Sequence, residues 1–222
     1  MNEFKFEVLV NLHEDLLSSI KVLCTAVDLD NLFIKFGGVG EWFDLREPYL
    51  LVSQHSVTTE FGNSLWQIER TLEALESLSI PVIMLWPNPD AGSDGISRGI
   101  RIFREENNPK WLHVFKNLPP DIYVHLMNTT ACLVGNSSSG LREGAFIGTP
   151  VVNIGTRQNN RLRAENVEQT GYDSNEILSA IKKQLFHGKY KTSSIYGDGK
   201  SSIKISKILS KVPPKIQKTI SY

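Results

Sequence analysis

Short apolar runs recur along the middle of the chain, and the segments between them have a helical period. The runs are Tyr49-Leu50-Leu51-Val52 and residues 81–86, 111–115, 131–134 and 150–154. Residues 60–79 carry Leu65, Ile68, Leu72, Leu75 and Leu78 as a helical stripe, and residues 96–106 also read as a helix. Pro119-Pro120 opens a helix that runs through Met127, since the first helical turn tolerates proline. Residues 138–147 form a further short helix, and residues 174–186 and 200–211 form the closing ones. Short buried strands alternating with helices specify βαβ units, hence an α/β fold with a doubly wound parallel sheet. Right-handed crossovers bring every strand's carboxyl end to one edge, where such folds bind ligands. That rule selects residues 53–60, 87–95, 135–143 and 155–166, the loops where the polar residues concentrate.

Composition narrows the classes of partner. The 222 residues include 24 Lys+Arg and 24 Asp+Glu, so the formal net charge is zero. A balanced surface argues against nucleic acid, whose phosphates call for a basic face, but it leaves room for one small phosphorylated ligand. The length allows one large domain or two small ones and is sufficient for a core without staples. Cys24 and Cys132 lie far apart in no C-x-x-C pair, as in a reduced cytosolic protein, and Cys132 reads as core. The start, MNEFKFEVLV, is too acidic and mixed for a signal peptide. No apolar stretch nears the ~20 residues that span a bilayer. We therefore expect a cytoplasmic protein that needs no membrane.

Residues 1–47 are the least regular part, with a helix near 14–26 and a turn or linker at Gly37-Gly38-Val39-Gly40. They read as a leader or interdomain segment ahead of a domain over 48–212, with residues 213–222 as a tail. After Asp198 the chain has six lysines and no acid, while Ile205, Ile208, Leu209 and Val212 fit one helix face. That pattern suits a packed terminal helix with a solvated lysine face.

The strongest local signal is Gly135-Asn136-Ser137-Ser138-Ser139-Gly140, followed by Leu141-Arg142-Glu143-Gly144, directly after a strand and opening a helix. Small residues let main-chain amides approach an anion, serine hydroxyls add donors, and the helix end adds about half a positive charge. The segment suits an anion cradle or a plain N-capping loop. No Gly-Lys-Ser/Thr follows, so it is not a Walker loop. Glu143, in the first turn, complements the helix dipole or accepts from a ribose diol. His55, at a strand's carboxyl edge, suits an acid or base near pH 7, or a structural hydrogen bond. Asn88 and Asp90 sit in a turn where they bind ligand hydroxyls or cap the next helix. Arg157 is placed to meet a phosphate or a base, with Arg161 and Arg163 on the same loop. No His/Cys cluster has metal spacing and no Gly-x-Ser-x-Gly elbow occurs. Neither a metal nor a cofactor is expected.

Taken in order, these segments resemble the UDP-N-acetylglucosamine 2-epimerase family, in its hydrolysing branch. The matching residues are Tyr49-Leu50-Leu51-Val52-x-Gln54-His55-x-Val57-Thr58-Thr59, Pro87-Asn88-x-Asp90-Ala91-Gly92-Ser93 and Gly135-Asn136-Ser137-Ser138-x-Gly140-x-Arg142-Glu143. They continue in Gly148-Thr149-Pro150-Val151-Val152-Asn153-x-Gly155-Thr156-Arg157-Gln158, Glu165-Asn166-Val167 and Ile195-Tyr196-Gly197-Asp198-Gly199. The resemblance covers residues 30–210. It implies the C-terminal, Rossmann-like half of a two-domain GT-B-type enzyme, with substrate between the halves. Ser137, Ser138 and Gly140 would hold the diphosphate, Glu143 the ribose, and Asn136 would also belong to the substrate-binding set. Arg157 would sit near the nucleotide, Asn88 and Asp90 would line the cleft, and His55 would reach the reacting sugar. The Asn-Ser-Ser-x-Gly loop and Gly155-Thr156-Arg157-Gln158 favour the hydrolysing branch over the non-hydrolysing one.

The family reaction removes the C2 proton of UDP-N-acetylglucosamine and expels UDP in anti fashion. Water then adds to the 2-acetamidoglucal, releasing N-acetylmannosamine for sialic acid biosynthesis. Related hydrolysing enzymes act on 6-deoxy, 4-amino variants of the sugar. The family's proton-abstracting acids belong mainly to the N-terminal half, so this chain alone is expected to bind UDP weakly and turn over little. The missing half would come in cis or in trans, and a homo-oligomer is expected. Arg98 and Arg101 resemble positions that bind a feedback nucleotide sugar in some vertebrate members, or form a solvated helix face. Two other readings stand beside this one. A GT-B glycosyltransferase shares the Glu-Gly-x-x-x-Gly-x-Pro pattern, and a truncated module would only bind nucleotide or dimerise.

Overall fold

The structure is a computed structural model that describes residue 29, residues 31–198 and residues 200–212. The helix expected near 14–26, Cys24 and the tail from 213 lie outside the described residues. Two compact units share the chain, one over Ala26–Tyr196 and one including the residues from Gly197 onward.

The larger unit begins with α1 (Leu32–Phe36) and β1 (Val39–Gly40), then β2 (Leu50–Ser53), a 3₁₀ turn (Thr58–Glu60) and α2 (Ser64–Glu76). Next come β3 (Val82–Leu85), α3 (Ser93–Asn107), β4 (Leu112–Phe115) and α4 (Pro120–Thr129). The chain continues through β5 (Cys132–Gly135), α5 (Ser138–Leu141), α6 (Glu143–Ile147), β6 (Val151–Ile154), β7 (Val167–Thr170) and α7 (Ser174–His187). The seven strands form one sheet in the order β1-β4-β3-β2-β5-β6-β7. All neighbouring pairs are parallel except β1 with β4. After the edge strand β1, the parallel part starts near the middle at β2, winds outward to β4, then returns to the other side at β5. This is the doubly wound sheet that the alternating pattern requires.

Both faces of the sheet are covered, which explains why the central strands read as continuous apolar runs. On one face Leu50, Val52, Met84, Val134 and Val152 meet Ile68, Leu72, Leu75, Ile96, Ile100, Ile177 and Ile181 of the long helices. Tyr49, Leu51, Ile83, Phe115, Leu133 and Val151 point the other way, toward Phe33, Ile122, Leu126 and Met127. Ile68, Leu72 and Leu75 follow the i, i+4, i+7 stripe and are fully buried. Truncating one of them to alanine would cost about 2–5 kcal/mol.

Residues 32–40 of the segment before residue 48 pack against this sheet. Leu32 and Phe33 are buried, and Val39 and Gly40 pair antiparallel with Val114 and His113. The His113 ring nitrogens lie 2.9 Å from the Gly37 carbonyl and 3.0 Å from that of Glu41, and the ring packs on Phe33. Gly40 passes so close to β4 that a Cβ there would stand 2.1 Å from the Leu112 carbonyl oxygen. The glycines read as a linker instead allow an edge strand to press against its neighbour.

At the other end, α8 (Ser201–Leu209) belongs to the smaller unit. Its Lys204 pairs with Asp198 at 3.1 Å, while Ile205, Ile208 and Leu209 are exposed rather than packed. Among the described residues no helix is long and apolar enough to cross a membrane.

Candidate functional site

The outward and return windings of the sheet diverge between β2 and β5, where Ser53 stands opposite Gly135. Gly135 has φ 135° and faces Ser53 directly. A Cβ on it would lie 2.2 Å from the Ser53 carbonyl oxygen, so the two strand ends close only on glycine. Just past them, Asn136 stitches the strands together. Its main-chain N–H donates to the Ser53 carbonyl at 3.1 Å. Its side-chain Oδ1 accepts the His55 N–H at 2.7 Å, and its Nδ2 donates to the His55 carbonyl at 2.8 Å. Asn136 is fully buried. Its carboxamide thus ties down the loop that carries His55.

His55 is buried as well. Its Nδ1 accepts the main-chain N–H of Asn88 at 3.2 Å, and Nε2 lies 3.3 Å from Ser53 Oγ. A main-chain N–H only donates, which assigns the proton of the neutral ring to Nε2. Burial, reinforced by the Arg157 cation and opposed by Asp90, lowers the pKa to about 4. The imidazole is therefore uncharged near neutrality and positioned to offer an N–H.

Beyond Asn136 the serine loop turns into helix. Ser137 caps α5, with its Oγ accepting from the Ser139 N–H at 3.4 Å. The helix expected over 138–147 is broken at Arg142 into two pieces of four and five residues. Their dipoles are correspondingly small, so an anion bound here would depend on hydroxyls and local amides. Those hydroxyls are organised from below. Tyr123 Oη of α4 lies 2.6 Å from Ser139 Oγ, which lies 2.9 Å from Ser137 Oγ. Burial raises the pKa of the Tyr123 hydroxyl against the pull of these serines, and the nearby Glu143 carboxylate raises it further. Gly140 presses on the sheet, where a Cβ would stand 2.9 Å from Leu133. The Ser138 hydroxyl and the half-buried Glu143 carboxylate make no hydrogen bond to another described residue.

The loop after β6 closes the site. Thr156 donates to Glu60 Oε1, Arg157 reaches Asp90 Oδ2 at 3.4 Å and the Asn136 carbonyl at 3.3 Å, and Gln158 donates to that same carbonyl at 2.7 Å. A cleft of about 500 Å³ opens here, lined by Thr58, Thr59, Asp90, Thr156, Arg157 and Asn159. All four loops selected from the sequence thus converge on one place. His55, Asn88, Asp90, Asn136 and Arg157 are linked by hydrogen bonds, and Ser137 follows directly. The Asn88 side chain is exposed, and its main chain makes the contact. Arg98, Arg101, Arg161 and Arg163 are exposed on the surface. Sequence reasoning missed Glu60, Tyr123, Ser139 and Tyr172. Glu60 does stand one residue past the quoted Thr58-Thr59, but nothing local marks its partners.

A doubly wound sheet with polar loops gathered at its switch point defines a Rossmann-like ligand-binding domain. Over residues 28–210 the chain matches the family model for UDP-N-acetylglucosamine 2-epimerase, and it belongs to that family. A UDP-N,N'-diacetylbacillosamine 2-epimerase (hydrolyzing) of Legionella pneumophila is 30% identical over 171 residues, 77% of this chain and 45% of that protein. A UDP-N-acetylglucosamine 2-epimerase of Neisseria meningitidis serogroup B is 28% identical over 162 residues, 72% of this chain and 42% of that one. A polysialic acid biosynthesis protein of Escherichia coli is 30% identical over 139 residues, 62% of this chain and 35% of that protein. This chain therefore spans less than half the length of these relatives. In fold it is similar to the Neisseria meningitidis epimerase solved with UDP-GlcNAc, with TM-score 0.67 at 14% identity over 90% of this chain and 53% of that one. The Methanocaldococcus jannaschii UDP-GlcNAc 2-epimerase gives 0.64 at 15% identity, over 89% and 53%. The architecture is thus that of one GT-B half.

Proposed function

We propose that this chain is the UDP-binding half of a hydrolysing UDP-N-acetylglucosamine 2-epimerase. The observation that carries the reading is the hydrogen-bonded gathering of His55, Asn88, Asp90, Asn136 and Arg157 past the β2–β5 switch point, with the serine loop following directly. Small anions are well held this way, by hydroxyls, close main-chain amides and one planar guanidinium. In this reading Ser137, Ser138 and the close approach at Gly140 hold the diphosphate. Glu143 accepts the ribose hydroxyls, Arg157 offsets the nucleotide's charge, and Asp90 and the Asn88 turn line the sugar side. His55 donates from Nε2 toward the reacting sugar, while Asn136 holds its main chain in place.

The whole enzyme removes the C2 proton, expels UDP to leave a 2-acetamidoglucal, and adds water with inversion at C2 to give N-acetylmannosamine. Carboxylates of a second Rossmann-like half, supplied in cis or in trans, take the C2 proton. The hydrolysing outcome is supported by the Gly155-Thr156-Arg157-Gln158 loop and by the Legionella relative. Placement in sialic acid synthesis is supported by the polysialic acid relative, and the whole enzyme is proposed to be a cytoplasmic homo-oligomer. Calorimetric titration of the 222-residue chain with UDP tests the site, and absence of binding overturns it. Incubation with UDP-N-acetylglucosamine should release little N-acetylmannosamine, and robust turnover would refute the need for a second half. Competition by UDP-N,N'-diacetylbacillosamine decides between the two sugars.

A further inference from the structure

Thr156, Arg157 and Gln158 are consecutive, and each reaches a different neighbouring loop. The outer two bonds are short and the middle ones long. Gln158 donates at 2.7 Å to the Asn136 carbonyl, and the Thr156 hydroxyl donates to Glu60. Arg157, by contrast, meets Asp90 only at 3.4 Å and the Asn136 carbonyl at 3.3 Å. A guanidinium carries five N–H donors in a rigid fork, so most of this one's capacity is left for a ligand. The loop is therefore held by the residues on either side of Arg157. One anchor is Asn136. The other is Glu60, which has no place among the ligand-holding residues.

Glu60 ends the 3₁₀ turn that follows β2. Its Oε1 accepts from Thr156, and its Oε2 accepts from Tyr172 Oη at 2.6 Å and from Gln67 Nε2 at 2.5 Å. The three donors come from three places: the loop after β6, the loop before α7 and the first turns of α2. Hydrogen bonds to a carboxylate are roughly twice as strong as neutral ones. Tyr172 fixes the loop a second time. Gly155 lies in the left-handed region at φ 70°, and a Cβ there would stand 2.1 Å from the Tyr172 hydroxyl oxygen. Trp66 packs edge-on against the Tyr172 ring, with centroids 5.7 Å apart, which limits where that ring can go.

We propose that Glu60 is a positioning residue of the nucleotide site: by gathering Thr156, Tyr172 and Gln67 it fixes the loop that aims Arg157 at the ligand's phosphates. The anion's identity rests on the UDP reading above, whereas the role of Glu60 rests on the clamp itself. Glu60→Gln keeps the size of the side chain but sets an NH2 against a group that now donates. Calorimetry with UDP on wild type, Glu60→Gln, Arg157→Ala and the double variant reads whether the two residues act as one. Glu60→Gln is expected to weaken UDP binding about fivefold or more, and less than about twofold once Arg157 is absent. Equal losses in both backgrounds would make Glu60 a general cross-link and overturn the proposal. Amide hydrogen exchange of the ligand-free protein is a second reading, independent of UDP. Glu60→Gln should speed exchange at residues 156–158 about tenfold while β6 stays protected. Unchanged exchange there overturns the clamp. Failure of wild type to bind UDP overturns the UDP reading alone, leaving exchange to decide on Glu60.

Discussion

The side-chain amide of Asn136 pairs edge to edge with the main chain of His55, accepting at 2.7 Å and donating at 2.8 Å. It continues the β2–β5 ladder one step past its last pair, Ser53 with Gly135. Both partners are buried, so Asn136→Ala leaves an N–H and a carbonyl without a bond or water. The expected cost is about 2–4 kcal/mol, read from the urea midpoint. A loss under ~1 kcal/mol would mean that the loop finds other partners.

His55 should make stability depend on pH. Its native pKa is about 4 against an ordinary 6.5, chiefly through burial and then through Arg157. Between those values the unfolded chain binds more protons than the native protein, so stability rises with pH across that window. The contribution is complete above about 6.5, is lost as pH falls through about 4, and amounts to on the order of 3 kcal/mol. Urea unfolding of wild type and His55→Gln should show curves that converge toward pH 4. Parallel curves would remove His55 as the cause. Nitrogen-15 NMR at pH 6 should find a neutral ring with its proton on Nε2.

Gly135→Ala tests the close approach at the switch point. The substitution puts a methyl group within 2.2 Å of the Ser53 carbonyl oxygen at φ 135°. Backbone is what it meets, so no side chain can rotate away. A loss of about 3 kcal/mol or more is expected, or failure to fold. Wild-type stability in this variant would mean that the strand ends separate freely.

Tyr123→Phe keeps the ring and removes only the hydroxyl that orders Ser139 and Ser137. If those serines hold the diphosphate, UDP affinity should fall about three- to tenfold while uridine affinity stays the same. Calorimetry with both ligands distinguishes this from displacement of α4, which would weaken both alike.

The apolar runs announced five of the seven strands to within a residue at either end, because strands covered on both faces must be apolar throughout. The two edge strands went unread for opposite reasons. Val167-Glu168-Gln169-Thr170 is half exposed and mostly polar, so no apolar run announces it. Val39-Gly40 looks like a linker because the glycines needed for close approach to β4 are also the residues of turns. The break at Arg142 is equally silent, since the apolar pattern continues through it.

The sequence by itself determined the architecture and the edge where ligands meet it. Periodicity sets the βαβ order, and handedness then puts His55, Asn88, Asn136 and Arg157 on one rim. Only the tertiary structure decided what each of these residues does there. The partners that define the roles are remote in the chain: 81 residues separate Asn136 from His55, 96 separate Thr156 from Glu60, and 112 separate Tyr172 from Glu60. Hydrogen bonds depend on a few tenths of an ångström and on angle, and such distances come into being only when the sheet has closed and its loops have packed.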